Sequence, residues 1–482
     1  MRPTAPAARA FHVMSKPTGA ICNLDCEYCF FLSKEQLYPD STFRMSESVH
    51  AAYVEQLLAA HNGAPEVVVA FQGGEPTMMG LDFFRHTLEL EERFRRPGQR
   101  ILNTIQTNAT LIDDEWAAFL KRHGFLVGVS IDGPREMHDA FRVDKGGKPT
   151  FDRVIAGLET LKRHEVEWNA LTTVNAANGD HGREVYGFLR DVLGASFIQF
   201  IPIVERGTPE LLAATARGWT SPKRPLYTQS GSEVTHRSVG PGQYGRFLID
   251  VFEDWARHDV GDVFVQMFDT SLAHWLGLGQ VGLCVHARTC GDAVALEHNG
   301  DLYSCDHYVE PDYLLGNITQ GRTLLDFVDS PQQRAFGEAK LRTLPQFCMS
   351  CDVRFACNGG CPKDRFATAP TGEPGVHYLC PSYKDFFSHI TQPMHVMADL
   401  LRTDQDAAAL RDWYAAADAE RSRNAPCTCG SGRKWKKCHA VPWTAAVPAP
   451  GVDAIPPIEP GEAPRLNPHA ALPTQGRSQE RS

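Results

Sequence analysis

The run Cys22-Asn23-Leu24-Asp25-Cys26-Glu27-Tyr28-Cys29 brings three thiols within eight residues, just after a stretch, Phe11–Lys16, that can supply a strand. A cubane [4Fe–4S] cluster normally takes four cysteines, so a trio with no local fourth can leave one iron free for another ligand. Zinc is the competing occupant. A zinc site usually recruits a fourth protein ligand, and His12 is the nearby candidate. On spacing alone both readings stand.

Downstream of this run the chain alternates. Apolar, β-branched segments occur at Val67–Phe71, Ile101–Thr107, Phe125–Ile131, Trp168–Val174, Phe197–Val204 and Val263–Phe268. Between them lie amphipathic stretches at Ser46–His61, Asp113–His123, Phe151–His164, Arg183–Leu193 and Tyr244–His258, with Ser46 and Asp113 placed to cap helices. Such alternation predicts a parallel α/β sheet or barrel covered by helices. Gly73-Gly74-Glu75-Pro76, Thr107-Asn108 and Asp132-Gly133-Pro134 follow strands directly, where parallel barrels build their sites. Residues 206–240 read as a polar insertion.

The 14 cysteines fall into three groups, at 22–29, 284–380 and 427–438, and none lies between 30 and 283. Scattered core cysteines would not leave that stretch empty. The second group reads Cys284-x5-Cys290-x14-Cys305, then Cys348-x2-Cys351-x5-Cys357-x3-Cys361-x18-Cys380. Eight thiolates match two fully ligated clusters or two zinc ribbons. The third, Cys427-x-Cys429-x8-Cys438-His439, has the donors of a closed tetrahedral zinc site.

The net charge of −10 argues against a nucleic-acid partner. No segment has the apolar length of a membrane span, and the N-terminus lacks the apolar core of a signal peptide. A cytoplasmic location is expected, where clustered cysteines are metal ligands more often than disulfides.

The motifs CNLDCEYCFF, AFQGGEPT, IQTNATLID, FLVGVSIDGP, HDAFR, IQFIP, GDLYSCDHYV, LGNI and CNGGC resemble the anaerobic sulfatase-maturating enzymes, which are radical S-adenosylmethionine (SAM) proteins with a SPASM extension. The resemblance covers roughly residues 10 to 390. It implies a partial (β/α)6 TIM-type barrel over 1–270 and a SPASM domain over 271–390, and the helix-like, Ala-rich patterning beyond them reads as a helical linker over 391–423. A SEC-C-like zinc motif over 424–440 and a disordered tail over 441–482 complete the expected order. Three [4Fe–4S] clusters and SAM are implied as cofactors. Cys22, Cys26 and Cys29 would hold the first cluster. Cys284, Cys290, Cys305 and Cys361 would hold one auxiliary cluster, and Cys348, Cys351, Cys357 and Cys380 the other. Tyr28, Gly74, Ser130, Arg142 and the backbone near Val204 would surround SAM, with Arg142 pairing its carboxylate. Asp306 takes the place of the family's base. Phe31 and Pro202 depart from the family pattern near the substrate.

The implied reaction oxidises a Cys or Ser of an unfolded sulfatase to Cα-formylglycine, with a reducing electron donor as a second partner. The alternative is a SPASM-type maturase that crosslinks another ribosomal peptide. The PCTCGSGRKWKKCH run resembles the SEC-C motif and implies Zn2+. Lys434, Lys436 and Lys437 either present a basic face to a chaperone or translocase or merely keep a zinc knob soluble.

Overall fold

The computed structural model describes residues 11–219, 225–279, 282–441 and 443. The strands are β1 (His12–Lys16), β2 (Glu66–Phe71), β3 (Arg100–Thr107), β4 (Leu126–Ser130), β5 (Trp168–Val174) and β6 (Phe197–Pro202). They lie side by side in sequence order, and each pairs its neighbour in parallel. β2 shows why the sequence goes this way: Val67, Val69 and Phe71 are fully enclosed on one face, and β-branched side chains suit such a surface.

Helices cover the sheet. Glu47–Ala60 begins on Ser46, whose hydroxyl accepts from the Val49 amide. Asp114–Arg122 begins on Asp113, which accepts from the Trp116 amide, and its acidic first turn and basic last turn suit the helix dipole. The pattern missed the helix Leu81–Phe94. It also overran at Val263–Phe268, where only Phe264–Val265 is strand and the chain turns at once into helix Gln266–Trp275.

The sheet is larger than the six strands expected. Phe264–Val265 extends it in parallel beyond β6. At the other edge Ala293–Glu297, from the cysteine-rich region, pairs in parallel with β1 and sets Glu297 opposite Lys16. The antiparallel strands Asp301–Tyr303 and Leu314–Asn317 follow it. The first auxiliary cysteines are therefore fastened to the barrel through one continuous sheet.

The segment expected as a linker is packed structure. Helix Cys380–Arg402 runs straight through position 390, burying Phe386, Ile390, Met394 and Met397. Leu410–Ala419 follows, and its Asp418 reaches back to Arg257 at 2.7 Å on helix Gln243–His258. Among the described residues no helix is long and apolar enough to cross a membrane. The tail expected over 441–482 lies outside the described residues except for Val441 and Trp443.

Candidate active site and metal centres

The loop carrying Cys22, Cys26 and Cys29 leaves the end of β1 and is held on two sides. On one side Gly74 N–H donates to the Gly19 carbonyl (2.8 Å) and Glu75 N–H to that of Ile21 (3.0 Å). On the other, the amides of Asp25 and Glu27 donate to Val143 and Phe141. A β-carbon on Gly74 would lie 1.9 Å from the Ile21 oxygen, so the missing side chain makes room for the cysteine loop itself. Glu75 is buried and accepts from Thr77, from Thr107 Oγ1 and from the Asn108 amide, tying the turn after β2 to the end of β3.

All three thiols are half-buried and none is in a disulfide. The Leu24 amide and Asn108 Nδ2 point at Cys22 Sγ, the kind of polar contact that tunes a metal-bound thiolate. Burial raises each thiol, Cys26 to about 12, so holding three thiolates here calls for a strongly positive partner such as iron. His12 sits at the far end of β1, beside His61, where burial lowers it to about 4. It is therefore not a fourth ligand for this trio.

Beside the loop, Tyr28 donates to Asp132 Oδ2 (2.5 Å). Arg142 grips the same carboxylate with Nε (2.9 Å) and Nη2 (3.0 Å). Burial opposes charge on both partners. The pairing outweighs it, holding Asp132 below and Arg142 above its ordinary pKa. A SAM carboxylate would have to share Arg142 with Asp132, whose part the sequence did not disclose. Ser130 Oγ accepts from Gln106 Nε2 (2.9 Å), and the Val204 carbonyl lies 3.5 Å from Lys363 Nζ.

Asp306 forms an ion pair with Lys16, the last residue of β1, whose ammonium also lies 3.7 Å from the Phe31 ring centre. Burial would raise this carboxyl, but Lys16 and His307 reverse that and keep it below its ordinary value. Lys16 is thus a site residue that sequence reasoning missed. Its only signal was its place at a strand end ahead of the cysteines.

The later thiols gather in two places. Cys348, Cys351, Cys357 and Cys380 line one cavity together with Arg354, His377 and Lys384. The electrostatic neighbours of Cys305 include Cys284 and Cys361, and those of Cys290 include Cys284. Those of Cys357 include Cys348, Cys351 and Cys380. Arg365 is near thiols of both sets, whereas Lys340 is near Cys284, Cys290 and Cys361.

The third site is compact. Cys427, Cys429, Cys438 and His439 are buried, with their ligand atoms all within 4.8 Å of one another. Cys429 and Cys438 sulfurs are 3.6 Å apart, and His439 Nδ1 is 3.2 Å from Cys427 Sγ. A tetrahedral zinc with bonds of about 2.3 Å to sulfur needs sulfurs roughly 3.8 Å apart, so the quartet fits that ion. His439 Nε2 meets the Asp250 carbonyl at 3.2 Å, the outer contact a ligating histidine requires. The motif is no free knob. Thr428 donates to Glu253, Arg183 to the Cys438 carbonyl (2.9 Å), and the Arg257 guanidinium lies 4.8 Å from the Trp435 ring. Lys434 and Lys437 face solvent and Lys436 is half-buried.

Family models agree with these three regions: the Radical SAM superfamily over 17–189, an iron–sulfur cluster-binding domain (SPASM) over 284–352 and the SEC-C motif over 423–440. A serine-type anaerobic sulfatase-maturating enzyme of Bacteroides thetaiotaomicron is 42% identical over 417 residues, covering 85% of this chain and 97% of the relative. A cysteine-type enzyme of Clostridium perfringens is 32% identical over 380 residues, covering 78% and 95%. The solved structure of native anSMEcpe with bound AdoMet and Cp18Cys peptide superposes with a TM-score of 0.68 at 32% identity, covering 81% of this chain and 99% of that one. On these relatives and this fold, the chain belongs to the anaerobic sulfatase-maturating enzymes of the radical SAM superfamily.

Proposed function

We propose that this enzyme oxidises a Cys or Ser side chain of an unfolded sulfatase to Cα-formylglycine. The observation that carries this reading is the Lys16–Asp306 pair, which sets an ionised carboxylate beside the half-buried Cys22/Cys26/Cys29 loop. Those three cysteines would hold the cluster that binds SAM, and the two later quartets the auxiliary clusters. Tyr28, Ser130, Arg142 and the backbones of Gly74 and Val204 would line the SAM site. When bound, these groups supply a 5′-deoxyadenosyl radical that takes a hydrogen atom from the substrate Cβ, and an acceptor for the electron left behind. Asp306 accepts the thiol or hydroxyl proton: a serine then becomes the aldehyde directly, whereas a cysteine becomes a thioaldehyde that water hydrolyses to the aldehyde with release of hydrogen sulfide. Lys16 holds Asp306 in the charged form that proton acceptance demands. Phe31 packs against Lys16, with its ring centre 3.7 Å from the ammonium, and offers it no competing hydrogen bond.

Anaerobic incubation with SAM, a reductant and peptides carrying Cys-x-Pro-x-Arg or Ser-x-Pro-x-Arg should produce formylglycine, read by mass. No product from either peptide would overturn the proposal. Iron analysis should give about twelve atoms per chain. The proposal includes a cytoplasmic location, a reducing electron donor and zinc in the C-terminal quartet. It also includes a chaperone or translocase contact through exposed Lys434 and Lys437. The domain order it includes is barrel to 270, auxiliary-cluster domain from 271, helical segment to 423 and zinc motif over 424–440, with helix Cys380–Arg402 spanning the boundary read at 390.

Because the zinc quartet is fastened to helix Gln243–His258, Cys438→Ser should lose one zinc per chain and lower the apparent Tm by a few degrees. Scanning fluorimetry with metal analysis checks this. Zinc loss at an unchanged Tm would mean that the motif contributes nothing to the barrel's stability.

A further inference from the structure

The 206–240 insertion has no role in the reading above, yet its described part is rigidly built. At its base Glu205 and Arg237 form a fully buried ion pair, with Arg237 Nε 2.9 Å from Glu205 Oε2. Thr235 Oγ1 donates to the same oxygen at 2.7 Å, and the Trp219 indole donates to Oε1. The Val239 amide donates to the Ile203 carbonyl (3.0 Å), closing the stem beside the end of β6. A polar stretch that would read as a solvated loop is thus stapled shut.

From this stem the chain reaches across to the segment that carries Asp306. Tyr227 is buried, with its ring 4.6 Å from that of Trp219 and 5.2 Å from that of Phe30. Its carbonyl accepts from Lys34 Nζ (2.7 Å) and its amide donates to Ser33 Oγ (3.1 Å). Two residues on, Gln229 makes two contacts with the Asp306–Glu310 turn. Its side-chain Nε2 donates to the His307 carbonyl (3.1 Å), and its amide donates to Glu310 Oε1 (2.9 Å). Glu310 in turn lies 3.9 Å from Lys34 Nζ. One short segment therefore bolts the helix after the cysteine loop to the turn that presents the base.

We infer that residues 225–231 form a fixed wall of the peptide site, and that Gln229 is a positioning residue that sets Asp306 through the His307 carbonyl. The inference rests on Asp306 being the base. Lys16 restrains the Asp306 carboxylate from one side only. The backbone that carries it is one short 3-10 turn, Asp306–Tyr308, closed by the Tyr308 amide on the Cys305 carbonyl (3.0 Å), so holding that turn in place takes contacts from outside it. Gln229 supplies them. Misplacing a reacting group by about 1 Å can cost on the order of a hundredfold in rate, so this small contact carries a large lever.

The test uses the holoenzyme with all clusters loaded, comparing wild type with Gln229→Glu and Gln229→Ala. Glu keeps the size but sets an acceptor against the His307 carbonyl. The expected result is a kcat for formylglycine reduced at least tenfold at little change in peptide KM. The number of 5′-deoxyadenosine molecules spent per formylglycine should rise at least fivefold, because the radical is still made while the proton acceptor stands off-line. A coupling ratio equal to wild type, or a parallel loss of SAM cleavage and product, overturns the inference. Hydrogen–deuterium exchange of the 303–313 amides supplies a readout that needs no turnover. It should quicken in both variants, and unchanged exchange sinks the wall. If the wild type itself makes no formylglycine while exchange quickens in the variants, the fault lies with the proposed function and the wall stands.

Discussion

Asp306→Asn should leave SAM cleavage running and abolish formylglycine formation, with product per chain falling at least a hundredfold. The substitution keeps the shape of the side chain and removes its capacity to take a proton, and general-base contributions are typically 10²–10⁴-fold. The structure makes the separation sharp. Asp306 belongs to the turn after strand Asp301–Tyr303, whereas the cysteine loop and its Gly74, Glu75 and Asn108 braces belong to β1, β2 and β3. Losing the carboxylate also strands Lys16, a buried ammonium, against the Phe31 ring. Removing one partner of such a pair destabilises the fold, so the variant's Tm should be recorded beside its kinetics. Chromatographic counting of 5′-deoxyadenosine and mass analysis of the peptide decide the matter together. An Asn variant that still forms formylglycine at the wild-type rate would place the base elsewhere.

Gly74→Ala should do the opposite, disabling the first cluster and sparing the other two. Its β-carbon would fall 1.9 Å from the Ile21 carbonyl oxygen, which is backbone and cannot rotate away. Relief requires breaking the Gly74–Gly19 and Glu75–Ile21 hydrogen bonds that seat the cysteine loop. The thiols would then no longer converge. Iron should fall from about twelve atoms to about eight per chain, and 5′-deoxyadenosine should become undetectable. Retention of all the iron together with normal SAM cleavage would show that the loop tolerates displacement by more than an ångström.

How much of the molecule was legible beforehand follows from where each instruction is written. The cysteine spacings were legible because cluster ligands lie close together in sequence. β2 and the capped helices were legible because a short apolar, β-branched run and a capping residue ahead of an amphipathic stretch are local signals. Helix Leu81–Phe94 was passed over although its apolar face is regular, and the strand read at Val263–Phe268 was cut short by helix Gln266–Trp275. Short apolar runs do not distinguish the two by periodicity alone.

The sequence by itself determined the strand–helix order, the three cysteine groups and the family. Only the tertiary structure decided who meets whom. It brought Asp132 to Arg142, Lys16 to Asp306, Gln229 to the turn behind the base and the zinc motif to helix Gln243–His258. The reason is physical. A side chain's charged or hydrogen-bonding partner is set by sheet register and packing between segments far apart in the chain, and burial makes such pairing obligatory without naming the partner.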